Sequence, residues 1–140
     1  RSALAATVQK KIVSERGHRI PEAYPFVIDS AAEKTAKTKA VVNALRAWGF
    51  DAELERSSVK KVRAGKGKWR GRRYQKKKGI LLVTSQSCPL LKAARNIPGV
   101  DAVPVRKLDA ELLAPGGMSG RVTLWTASAL KEMENHKLFI

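Results

Sequence analysis

This sequence has little negative charge. Twelve acidic residues face 28 Lys and Arg, giving a formal net charge of +16 at pH 7. Such an imbalance opposes compaction through self-repulsion and makes physical sense mainly beside a polyanion. Cysteine is nearly absent. Cys88 alone excludes an intrachain disulfide framework and a thiolate metal cluster, and it suits a reducing compartment. No apolar run approaches the roughly 20 residues needed to span a bilayer, and neither end carries a lipidation signal. There is no signal peptide pattern. The first residue is Arg1, and helix-like sequence begins at once, so the expectation is a fragment of a longer chain.

Enough remains to build a core. The hydrophobic fraction is 44% over 140 residues, which fits one ordinary domain and excludes a wholly disordered basic tail. Ser2 to Glu15, rich in Ala, reads as one helix stopped by Gly17. Phe26 to Ile28 reads as a short buried strand. Thr35 to Trp48 places Ala36, Ala40, Val41, Ala44, Leu45 and Trp48 at helical spacing. Phe50, Ala52 and Leu54 alternate with acids, which predicts a short strand over 50–54. Further strands are predicted at Gly79 to Thr84, Val100 to Val105 and Val122 to Thr126. Helices are predicted at Pro89 to Arg95, Asp109 to Leu113 and Ala129 to His136, the last capped by Thr126 or Ser128. Alternating helices and continuous apolar strands predict one α/β domain over residues 1–140. Its sheet should be central and mostly parallel, of about four strands with helices on both faces.

The composition shifts sharply between Arg56 and Gly79. About a dozen basic residues fall there with no acid among them, an electrostatic footprint. No periodicity is visible, which predicts a long, irregular, basic insertion over 56–79. Its centre is Arg63-Ala64-Gly65-Lys66-Gly67-Lys68-Trp69-Arg70-Gly71-Arg72-Arg73-Tyr74. As a dinucleotide fingerprint it fails, because the third glycine position holds Arg70 and no helix follows; a Walker loop is absent. For RNA the residue types fit. Arg63, Arg70, Arg72 and Arg73 can grip phosphate with a two-pronged guanidinium. Lys66 and Lys68 act as point charges, and Lys60, Lys61, Lys76, Lys77 and Lys78 add charge of less fixed geometry. Trp69 and Tyr74 can stack on unpaired bases, the bland alternative being a solvated loop with Trp69 tucked on the core. Arg121, near Gly116-Gly117, reads either as a further backbone contact on RNA or as part of a plain turn.

Catalytic chemistry finds no support. His18 and His136 have no neighbouring nucleophile in sequence, and no metal-ligand spacing exists. Cys88 before Pro89 reads as a small packed side chain at a helix start, and Trp48 and Trp125 read as core. A nucleotide-binding α/β enzyme would need a pocket at the C-terminal strand edge, of which the sequence gives no sign. A free-standing regulatory RNA or DNA binder remains the other rival.

Four segments converge on one family. They are Arg1-Ser2-Ala3-Leu4-Ala5-Ala6-Thr7 with Arg16-Gly17-His18; the stretch from Arg63 to Tyr74; Ala93-Ala94-Arg95-Asn96-Ile97-Pro98-Gly99; and Leu113-Ala114-Pro115-Gly116-Gly117 with Gly120-Arg121, Trp125-Thr126, Ser128 and Ala129-Leu130. In this order they resemble the large-subunit ribosomal protein L four family, in its archaeal and eukaryotic branch and in the later portion of its chain. The resemblance implies a non-enzymatic structural constituent of the cytoplasmic ribosome. Its partners would be large-subunit ribosomal RNA and neighbouring ribosomal proteins, with no cofactor, membrane or small-molecule substrate. It also implies an α/β domain, as the alternation does.

Overall fold

The computed structural model describes residues 1–139. Helices α1 (Ser2–Val8) and α2 (Lys10–Glu15) open the chain, followed by strand β1 (Val27–Ile28) and a 3-10 turn over Ser30–Lys34. Helices α3 (Thr38–Ala47) and α4 (Asp51–Ser58) lead to strands β2 (Lys60–Val62) and β3 (Tyr74–Lys76). Then come β4 (Leu81–Thr84), α5 (Pro89–Ala94), β5 (Asp101–Pro104), α6 (Ala110–Leu113), β6 (Thr123–Thr126) and α7 (Ala127–Asn135).

Four strands form a parallel sheet in the order β1-β6-β4-β5. Its central strand β4 is buried at every residue, as the apolar run Leu81-Leu82-Val83 requires. Alternation along β4 and β6 sends side chains to two separate cores. Leu82 and Leu124 join Val13, Val41, Leu45, Phe50 and Leu90 on the face covered by α2 to α5. Leu81 and Val83 join Val105, Leu113 and Ala129 on the face covered by α1, α6 and α7. The expected α/β sheet with helices on both faces is therefore the fold. Thr126 caps α7 by accepting the Ala129 N–H at 3.2 Å.

Three local expectations are corrected. The single opening helix breaks at Gln9, whose backbone is extended (φ −81°, ψ 104°). The break lets α1 give Ala3 and Leu4 to one core while α2 gives Val13 to the other. Residues 50–54 are not a strand but the start of α4. The inward positions are Phe50, Glu53, Leu54 and Ser57, at helical spacing, and one of them is a buried acid that an apolar pattern does not register. Finally, residues 56–79 are only partly irregular. Arg56 to Ser58 end α4, and β2 and β3 form an antiparallel hairpin, with Lys60 opposite Lys76, Lys61 opposite Gln75 and Val62 opposite Tyr74. Every residue of both strands is exposed, so backbone pairing builds the hairpin without an inward-facing set for the sequence to reveal.

At the hairpin's root, Gly99 has φ +76°, and a Cβ there would lie 2.5 Å from Ser57 Cβ and 3.0 Å from the Lys77 carbonyl. Gly99→Ala should therefore cost about 2–4 kcal/mol in urea unfolding, from left-handed strain and overpacking together. Unfolding at the wild-type midpoint would show that the root yields without strain.

Candidate nucleic-acid interface

The hairpin leaves the domain between α4 and β4, and each leg is fixed by an ion network, the first buried and the second partly exposed. At the first leg, Glu53 has no exposed surface. Its carboxylate accepts from His18 Nδ1 at 2.7 Å, from the Arg19 N–H at 2.9 Å, and from Arg56 Nε and NH2 at 2.8 and 2.7 Å. Burial alone would push the Glu53 carboxyl up; the donors from Arg56, His18 and Arg19 outweigh it and hold it at about 2. An ionised carboxylate only accepts, so His18 Nδ1 carries the proton. The same Arg56 donates to the Lys78 carbonyl at 2.8 Å, tying α4 to the outgoing leg.

At the second leg, Asp101 Oδ2 accepts from Lys78 Nζ at 2.8 Å and from Arg121 NH2 at 2.6 Å. Burial raises the Asp101 carboxyl, but these two cations bring it below its ordinary value. Arg121 also donates from Nε to the Gly79 carbonyl at 2.8 Å and from NH1 to the Leu112 carbonyl at 2.9 Å. Its side chain is fully buried. The reading of Arg121 as an RNA contact is thereby corrected: no guanidinium donor faces outward, and the residue is an internal strut. Sequence reasoning missed Glu53, His18 and Asp101 as positioning residues. The available signal was the acid at the second of the helically spaced positions Phe50, Glu53, Leu54 and Ser57.

The other predicted residues gather on the hairpin. Lys60, Lys61 and Lys76 stand on its strands, Lys66 and Lys68 on the 3-10 turn Gly65–Lys68 at its tip, and Arg63, Trp69, Arg70, Arg72 and Arg73 between. Lys77 follows β3 and is exposed, and Lys78 remains half exposed beyond its bond to Asp101. The chain reverses with Gly71 at φ +73°, a conformation that favours glycine. The Arg63 N–H donates to the Arg73 carbonyl at 2.8 Å and the Arg72 N–H to the Gly67 carbonyl at 3.1 Å. Between them lies a cleft of about 380 Å³, lined by Arg63, Ala64, Gly67, Arg72 and Gln75. Trp69 is 87% exposed, so it is not tucked on the core. Tyr74 lies beneath Lys60 Nζ, 3.8 Å from the ring centroid, with Arg73 at 5.6 Å. Lys60 faces Lys76 across the strands, a like-charge pair that opposes the fold of the free arm. Chemically, the arrangement is a projecting cationic surface with two exposed rings and no carboxylate of its own.

The opposite end of the sheet is occupied differently. Near the N-terminus of α7, Glu33 accepts from the Ser85 N–H and hydroxyl, each at 3.0 Å, from Thr126 Oγ1 at 2.7 Å and from the Ser128 hydroxyl. Burial would raise this carboxyl, but the four donors hold it below its ordinary value. An internal anion thus fills a position where α/β folds commonly bind a ligand's phosphate. Among the described residues, no group of His, Cys, Asp and Glu could hold a metal ion, and no helix is long and apolar enough to cross a membrane.

A two-faced α/β domain with a projecting, acid-free basic arm defines a class of scaffold whose main cationic surface lies outside its sheet. Within that class, this chain belongs to the ribosomal protein L4/L1 family, whose model matches residues 1–136. The large ribosomal subunit protein uL4 of Methanococcoides burtonii is 48% identical over 135 residues, covering 96% of this chain and 53% of its own length. That of Archaeoglobus fulgidus is 47% identical over 132 residues, 94% of this chain and 52% of its own. That of Halorubrum lacusprofundi is 46% identical over 136 residues, 95% and 54% respectively. The chain spans about half the length of the curated relatives it matches, in their C-terminal part.

Proposed function

We propose that this chain is the RNA-anchoring domain of a structural, non-catalytic protein of the large ribosomal subunit, working in the cytoplasm. It inserts the hairpin between segments of large-subunit ribosomal RNA and rests against neighbouring ribosomal proteins. The observation that carries this reading is the hairpin: about a dozen cations without an acid, held at the root and exposed to the tip. Such an arm is electrostatically unfavourable alone and is stabilised by phosphates, which release counterions as they are neutralised. Recognition is by backbone and shape, because the major groove of A-form RNA is too narrow for side chains to read. Arg63, Lys66, Lys68, Arg70, Arg72 and Arg73 contact phosphates. Lys60, Lys61, Lys76, Lys77 and Lys78 contribute the surrounding field. Trp69 and Tyr74 stack on bases or on the sugar-phosphate edge.

The test is assembly. A tagged full-length protein carrying this domain, expressed in its own cells, should co-sediment with large subunits and stay bound through a high-salt wash. Release at modest salt would overturn the reading in favour of a free-standing RNA or DNA binder.

A further inference from the structure

A second cationic site lies at the end of the sheet away from the hairpin. The parallel register pairs Leu81 with Asp101 and Thr84 with Pro104. The hairpin therefore joins β4 at one end, while the segments after Thr84 and Pro104 meet at the other, roughly 13 Å away along the strand. There they enclose a cleft of about 480 Å³ whose polar lining includes Gln86, Ser87, Arg95, Arg106 and Lys107. No pocket is legible in the sequence at this end of the strands, because its cations come from the end of α5 and from the turn after β5.

We infer that this cleft, with Arg95 and Lys107 as its principal cations, is a second phosphate-backbone site, so that the domain bridges two RNA segments. The inference rests on the proposed role of the hairpin for its first segment. Arg95 and Lys107 are exposed, and neither has a carboxylate partner among the described residues. Arg106 is partly committed, donating to Glu132 Oε1 from Nε at 3.1 Å and NH2 at 2.8 Å. Ser85 is fully used by Glu33, leaving Ser87 and Gln86 as the neutral donors at the cleft. A mononucleotide fits poorly. The loop Ser85-Gln86-Ser87-Cys88 has no glycine for close phosphate approach, Pro89 removes the first N–H of α5, and no aromatic ring lines the cleft to hold a base. Separated cations with free hydroxyl and amide donors match successive phosphates of a strand instead.

The experiment mixes the protein with two short RNA duplexes, one carrying a donor dye and one an acceptor. Energy transfer is read at one protein per two duplexes, with the protein confirmed as a monomer. Wild type should bring the duplexes together. The double variant Arg95→Ala, Lys107→Ala should lose at least five-fold of the transfer while still binding one duplex. Its salt slope should be lower by roughly 1.4 to 1.8, two contacts at about 0.7 to 0.9 each. Circular dichroism should be unchanged, since both side chains are exposed. Bridging at the wild-type level would overturn the second site. So would an equal loss in Lys11→Ala, Lys39→Ala, which removes the same charge elsewhere. Saturable binding of adenosine monophosphate that the double variant abolishes would make the cleft a small-ligand pocket and overturn the inference too. If instead a hairpin variant keeps wild-type duplex affinity while the double variant loses bridging, the hairpin reading fails and the cleft stands.

Discussion

Replacing Lys66, Lys68, Arg70, Arg72 and Arg73 together by Ala should leave the domain folded and weaken RNA binding by at least about 100-fold, ~3 kcal/mol. All five side chains are exposed on an arm that lends nothing to either core, so thermal unfolding should move little. The salt dependence is the sharper readout. If each residue neutralises one phosphate, the slope of log affinity against log salt should fall by about 3.5 to 4.5. Trp69→Ala separates stacking from charge: it should cost about 1–3 kcal/mol of binding with the slope unchanged. If the five-fold variant unfolds, the hairpin is a structural member of the domain. If its slope matches wild type, the phosphates are met elsewhere.

Glu53→Gln should be the most damaging single change to stability, at about 3–5 kcal/mol. The carboxylate is wholly buried and serves three donor groups, one of them the largely buried Arg56 guanidinium. Glutamine offers one acceptor oxygen and an amide that faces other donors, leaving the Arg56 charge unmatched. The same carboxylate gives the fold an acid dependence. Its folded value of about 2 lies below the ordinary 4.5, so it contributes fully above pH 4.5, and that contribution, about 3 kcal/mol, is lost as pH falls from 4.5 towards 2. Asp101 and Glu33, also held below their ordinary values, add acid sensitivity of the same sign. Glu53→Gln should therefore be less stable than wild type at neutral pH, with the gap closing as pH falls through that window. A constant gap would mean that the Glu53 charge is not what the site uses.

The physical reason some elements could be read from the sequence is burial. β4 was legible because all its side chains are inward, and α7 because Thr126 offers a cap ahead of a helical apolar pattern. The arm was legible as chemistry, since charge and ring content need no fold to be seen. Its hairpin form was not, because every residue of Lys60 to Val62 and Tyr74 to Lys76 is exposed, so their backbone pairing leaves no buried alternation in the sequence. α4 was hidden by a polar residue doing an interior residue's work. Arg121 misled because its partner Asp101 lies twenty positions upstream and meets it only once β5 is laid beside β4. The same holds for Arg95 and Lys107, which come from separate elements.

The clamped root of the hairpin also makes the arm modular. Lys60 and Lys76 are directly paired, so the chain enters and leaves the arm about 5 Å apart, a gap that a tight two-residue reversal closes. Neither core contains a residue between Ser58 and Lys78. The arm can thus be shortened, lengthened or exchanged while the anchor at Glu53, Arg56, Asp101 and Arg121 stays as it is. The domain behaves as a socket, in which reach and partner can be varied separately from the stability of what holds them.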